Sequence, residues 1–275
     1  MASIPRIVLL LVVCIAPRLA VGAPFPLTLT TLPFDNPQEE SAVFSLLGRY
    51  LADALGRPVE FVAAKSYDEA TRMLSSGKAD VALFGAVAYV KARRQGQVRA
   101  ILRSIRNHRP TYDGVVIVKR GSGIESLADL KGHSFAWVDP FSGAGYLYPR
   151  ILLKGAGIVP DRDLKATFVG SHKQVVQKVA SGEVDAGACF AGAEEMLTDP
   201  SAVVAIGRTE PVPGEPVVVR PGLGSELVKK LRSALMEMAT VEAAAPFFRF
   251  AEIDGFVPAV DADYDRVDEL LRQLQ

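Results

Sequence analysis

Residues 137–153 read WVDPFSGAGYLYPRILL. An apolar strand ending in Val138 runs through Asp139-Pro140 into Ser142-Gly143-Ala144-Gly145, and an apolar-periodic helix follows. Small residues at a strand-to-helix junction let the backbone approach a ligand closely. The helix start behind them offers unpaired N–H groups and about half a positive charge, which is chemistry for holding an anion. A second start of this kind lies at Gly170-Ser171-His172-Lys173, where Ser171 can cap a helix over 172–181 and His172 sits in its first turn. Two such ends facing each other would clasp a small oxyanion. On these residues alone, ordinary turn chemistry competes for the loop, and a solvated first-turn side chain competes for His172.

Catalysis is the rival use of such a loop. Ser142 lies on a strand-to-helix turn, as the nucleophile of a secreted esterase or phosphatase would, but proline stands where a nucleophile elbow has glycine two residues before the serine. Glu194 and Glu195 are neighbours, and on a helix neighbours point about 100° apart, so they read as helix surface rather than a working carboxylate pair. His108, His133 and His172 stand far apart without zinc-ligand spacing, and no metal cluster for ester hydrolysis is visible. Cys189 falls in the apolar run 185–190 and reads as a buried, inert thiol. Arg103, Arg106, His108 and Arg109 form a basic patch, read as a solvated strand face or as ion-pair partners between lobes rather than as ligand contacts.

Composition sets the surroundings. The chain has 275 residues, 49% apolar and 23% charged, with 31 basic and 31 acidic side chains. Arg6 precedes an apolar run over 7–16 that is too short to span a bilayer, and Ala20-Val21-Gly22 supplies a small-x-small cleavage pattern. A signal peptide over 1–22 is therefore expected, with the exported chain starting near Ala23. A lipoprotein signal at Cys14 fits less well, because branched Val13 stands where a small residue is needed. Removing Arg6 and Arg18 leaves 29 basic against 31 acidic residues, which argues against a nucleic-acid surface. No later stretch is apolar for long enough to span a membrane, so a soluble exported protein is expected.

Strand and helix signals alternate from Leu27 onward. Strands are expected at 27–32, 59–63, 80–84 and 99–105. Helices between them start at Asn36-Pro37, at Ser66 and near Val87. After Tyr112 the alternation begins again, with strands at 114–118, 134–138, 167–169, 185–190 and 203–206 and a helix over 172–181. A Pro/Gly-rich stretch, 211–216, reads as a crossing back to strand 217–219, helix 225–238 and a final amphipathic segment, 264–274. The pattern predicts an α/β fold with largely parallel strands, arranged as two lobes with the chain passing between them twice. Lobe I is expected over 23–111 plus 216–275, and lobe II over 112–215.

Five segments in this order resemble the solute-binding subunits of phosphate, phosphite and phosphonate ABC transporters. They are GKADVALFGAVAYVKA (77–92), RPTYDGVVIVKRGSGIESLADLKG (109–132), WVDPFSGAGYLYPRILL (137–153), SHKQVVQKVASGEVDAGA (171–188) and PVVVRPGL (216–223). The resemblance implies two Rossmann-like lobes joined by a two-strand hinge, the type II periplasmic-binding-protein fold. It implies a periplasmic receptor that closes on a small phosphorus oxyanion and delivers it to an ABC permease, working as a monomer without catalysis, cofactor or metal. By matched position it assigns ligand contacts to Tyr89, Tyr112, the loop Ser142, Gly143, Ala144 and Gly145, and His172, with Phe34 on the opening loop of lobe I.

The departures are informative. Where such proteins often carry Ser-Thr-Ser, this chain has Ser142-Gly143-Ala144, losing two hydroxyl donors. Each such bond to a charged group is worth roughly 1.5–3 kcal/mol. Phe190 stands near where aminophosphonate binders place a carboxylate, so a ligand without a required ammonium is expected. An imidazolium at His172 would make binding weaken as pH rises through its pKa. A sensor subunit docking on a signalling receptor, or a relative with a non-phosphorus ligand, would show these same features.

Overall fold

The computed structural model describes residues 25–31, 37–96 and 98–274. The expected leader over 1–22 and Phe34 lie outside these residues. β1 (Leu27–Thr31), α1 (Pro37–Leu55), β2 (Val59–Phe61), α2 (Tyr67–Ser75), β3 (Val81–Leu83), α3 (Ala86–Gln95) and β4 (Arg99–Ile105) alternate with short links. The second series holds β5 (Thr111–Lys119), β6 (Ser134–Trp137), α4 (Tyr148–Gly155), α5 (Pro160–Asp163), β7 (Lys165–Phe168), α6 (His172–Ser181), β8 (Ala186–Phe190) and β9 (Val203–Pro213). The chain then returns through β10 (Pro216–Val219), α7 (Ser225–Glu237), α8 (Ala245–Ala251), β11 (Gly255–Pro258) and α9 (Asp265–Gln273).

Two sheets result, ordered β11-β4-β10-β3-β1-β2 and β7-β6-β8-β5-β9. Without the edge strand β11 the two orders are the same. In each, the strand arriving from the other lobe (β10 in the first, β5 in the second) runs antiparallel to both neighbours. The cause is geometric: such a strand enters at the edge facing the other lobe, where the parallel strands end, and must run against them. The duplicated sequence pattern is thus a duplicated topology, and the carboxyl ends of the parallel strands face the gap between lobes, where open α/β sheets bind ligands.

The crossing from β4 to β5 is a tight turn. Arg106 and Arg109 exchange two backbone hydrogen bonds (2.9 and 3.1 Å), with Asn107 and His108 both at positive φ, 50° and 58°. Two successive left-handed residues are what a mirror-image hairpin turn requires, and Asn tolerates this better than most. Asp254 helps hold the turn by accepting the His108 N–H at 2.7 Å.

Three expectations need correction. The Pro/Gly-rich stretch is not all linker: Pro211, Val212 and Pro213 pair with Asp113, Tyr112 and Thr111 as the end of β9. β9 is an edge strand, so the missing proline N–H groups leave no ladder unpaired. The helix after the small-residue loop opens with a π-helical turn, Gly143–Leu147, before α4. Finally, α8 and β11 fill 245–258, a region the periodicity left unassigned.

Each lobe has its own core, around Leu29, Phe44 and Leu231 in one and Val116, Trp137 and Leu153 in the other. A third cluster runs from Phe84 and Tyr89 to Ala144, Tyr148 and Phe190 and joins the lobes.

Candidate functional site

Between the lobes lies a cavity of about 320 Å³. One wall carries Thr31 at the end of β1, Gly85 just after β3, Ser104 within β4 and Arg106 at the turn beyond it. The facing wall carries Tyr112 from β5, Phe190 at the end of β8, and Ser171, His172 and Lys173 at the start of α6.

Two helix starts open onto this space. α6 is capped by Ser171, whose Oγ accepts the Gln174 N–H at 3.2 Å, while the N–H groups of His172 and Lys173 precede any intrahelical partner. α3 starts at Gly85, which has no side chain with which to cap it; the first intrahelical bond runs from the Tyr89 N–H to the Gly85 carbonyl at 3.0 Å. Both helices are ten residues long, and their positive ends point at the same cavity.

Arg106 is the fixed charge of the site. Its guanidinium donates to Glu252 at 3.2 Å and lies 3.6 Å from Glu215. It is centred 4.7 Å from the Phe190 ring and 5.5 Å from the Tyr112 ring. Its Nε is buried without a partner. Glu215 also accepts from the Ser104 hydroxyl, and burial, then the Glu215 charge, push the Tyr112 phenol well up. Burial raises Glu252 as well, with Arg106 opposing the shift. Glu252 caps α8 at φ 53°, a left-handed position that costs a non-glycine residue free energy and that its pairing with Arg106 helps to offset.

His172 Nδ1 accepts the Phe190 N–H at 3.3 Å, and the two rings meet edge-on at 4.8 Å. Burial, and then the Arg106 charge, push the imidazole down to about 3. It is therefore neutral, with Nε2–H left as the donor. The imidazolium expected from sequence with a bound oxyanion would form against this Nδ1 acceptor bond and the neighbouring cation.

Of the residues singled out from sequence, Tyr112 and His172 line the cavity together. Tyr89 does not. Its ring is fully buried against Tyr264 (4.8 Å), and its hydroxyl donates to Asp261 at the lobe I surface. Ser142, Gly143, Ala144 and Gly145 are also absent from the cavity wall. Ser142 Oγ accepts the Gly145 N–H at 2.9 Å, as an internal cap. A Cβ on Gly145 would lie 2.3 Å from Val138 Cγ2, and one on Gly143 would lie 2.9 Å from Val212 Cγ1 and 3.8 Å from the Tyr112 hydroxyl. The loop is small because it packs under its own sheet, and it adjoins the cavity residues Tyr112 and Gly85. Its neighbour Phe141 meets the opposite lobe, with Lys91 Nζ 3.8 Å from its ring.

Gly85 and Arg106 were missed as site residues. A glycine ending an apolar strand just before a helix was a readable signal for the first; Arg106 looked like one member of a basic patch. The other members are engaged elsewhere, Arg103 with Asp263 and Arg109 with Asp113. The argument from Phe190 also changes, because Glu215 and Glu252 bring carboxylates to the cleft from distant parts of the chain. Cys189 is buried, and burial pushes its thiol up.

Two lobes of matched topology, hinged by two crossings and holding helix starts over a shared cleft, define a periplasmic-type solute-binding protein. The family model described as the periplasmic substrate-binding protein of phosphonate ABC transporters matches residues 29–264, and the chain belongs to that family. It is 28% identical to the phosphate-import protein PhnD of Mycolicibacterium smegmatis, over 90% of this chain and 85% of that protein. It is 27% identical to a probable phosphite-binding protein of Prochlorococcus marinus, over 60% of this chain and 58% of that one. The fold also matches the solved structure of PhnD1 from Prochlorococcus marinus in complex with methylphosphonate, with TM-score 0.79, 23% identity, and 90% and 97% of the two chains covered. The aliphatic sulphonate binding protein SsuA from Escherichia coli shares the fold more distantly, with TM-score 0.65, 14% identity and 92% of each chain covered.

Proposed function

We propose that this chain captures a small phosphorus oxyanion (a phosphonate, phosphite or phosphate) between its lobes and delivers it to an ABC permease without breaking a bond. The observation that carries this reading is the convergence of the α3 and α6 starts on the cavity that Arg106 and His172 line. Backbone N–H groups from α6 and α3, the His172 Nε2–H and the buried guanidinium supply donors from both sides, so a bound anion would hold the lobes together. The working form is a periplasmic monomer with residues 1–22 removed, and its lobes are 23–111 plus 216–275 and 112–215.

Thermal unfolding in the presence of phosphite, phosphate or methylphosphonate, with sulfate as control, tests this reading. A ligand at a hundred times its Kd adds about 2.7 kcal/mol of stability. A stabilisation by one of the phosphorus oxyanions that is lost in Arg106→Gln supports the reading. Equal response to sulfate, or none to any oxyanion, overturns it.

A further inference from the structure

The cleft has a second character that inorganic oxyanions do not use. Around Arg106 and the α6 start, its wall also carries Phe190, Phe250, Ile253 and Phe256, with Phe44 and Phe84 behind them. Phe250 is half-buried and Phe190, Ile253 and Phe256 are 8%, 8% and 5% exposed, so they form the apolar lining, while Phe44 and Phe84, each 1% exposed, back it. α8 and β11 place Phe250, Ile253 and Phe256 there, and Phe250 packs edge-on against Phe44 at 6.4 Å. A volume of about 320 Å³ falls in the range of organic-ligand pockets, far beyond what a bare tetrahedral ion fills.

The charge at the polar end points the same way. The four charged side chains of the wall, Glu215, Glu252, Arg106 and Lys173, sum to zero. Such a wall exerts little net Coulomb attraction on a compact dianion. It can hold an oxyanion by directed donors, but affinity must draw on apolar contact as well.

We propose that the preferred ligand is an organophosphonate whose substituent is apolar and about the size of a phenyl ring, with the oxyanion at Arg106 and the α6 start and the substituent against Phe250, Ile253 and Phe256. This rests on the oxyanion reading above and names the ligand class within it. The substituent needs no ammonium, because both cleft carboxylates face Arg106.

Isothermal titration of the purified protein with phosphate, phosphite, methylphosphonate and phenylphosphonate is the test. Phenylphosphonate is expected to bind about tenfold to a hundredfold more tightly than methylphosphonate, with the more negative heat-capacity change of apolar burial. Phe250→Ala, at a half-buried position, should lower the phenyl-to-methyl affinity ratio about tenfold. Methylphosphonate, phosphite or phosphate binding as tightly as phenylphosphonate would overturn the proposal and leave the oxyanion reading standing. A ratio unchanged in Phe250→Ala would overturn the placement. Failure of all four to bind would overturn the oxyanion reading as well.

Discussion

The loop at Ser142 and the start of α6 at Ser171 look alike in sequence and do different work. Each has a serine after a strand, and each serine accepts from the N–H three residues on, at 2.9 Å for Gly145 and 3.2 Å for Gln174. One is followed by a π-helical turn pressed against Val138 and Val212; the other opens on the cleft beside Arg106. Cap chemistry alone does not mark a binding site. A helix start becomes one when its first N–H groups face empty polar space rather than a neighbouring strand.

Gly145→Ala should break the comparison most forcefully. With Val138 2.3 Å from the new Cβ, overpacking should cost about 3 kcal/mol or more in a denaturant titration, while the folded fraction retains its ligand affinity. The next largest effect falls on the other helix start. His172→Ala removes the Nε2–H donor and should weaken oxyanion binding by about tenfold to a hundredfold by calorimetry, with about 1–3 kcal/mol of stability lost as the Phe190 N–H is left unpaired. The two serines give a finer contrast. Ser142→Ala and Ser171→Ala should each lose about 1 kcal/mol of unfolding free energy with the lost cap, whereas Kd should move only for Ser171→Ala.

A last effect is one of pH. The folded imidazole at His172 lies at about 3, below the ordinary value near 6.5, so the unfolded chain takes up the proton first. Its contribution to stability is complete above about pH 6.5 and is lost progressively as pH falls toward 3. Kd for an oxyanion should therefore carry no His172 titration between about pH 7 and 8, and denaturant midpoints should fall below about pH 6.5 by an amount that His172→Ala reduces.

Much of this was legible without coordinates. The caps at Ser66 and Ser171 form as their spacing predicts, and the alternation of strands and helices yields two sheets. The small residues of 142–145 misled for an identifiable reason: glycine permits close approach, and the sequence does not say whether a ligand or a strand is what approaches. Tyr89 misled in the same way, since a tyrosine near a helix start serves a core or a cleft equally well. Residues 245–258 show aromatic density but no period, because α8 and β11 are too short to display one.

The sequence by itself determined the local elements, their order and the family, because caps, hydrophobic periods and short links act between residues close in the chain. Only the tertiary structure decided that Gly85, Arg106, His172, Glu215 and Glu252 share one wall-to-wall space. These residues come from both lobes and lie more than a hundred positions apart at the extremes. Nothing local couples them; they meet because two sheets of the same order, joined at two crossings, turn the carboxyl ends of their strands toward each other.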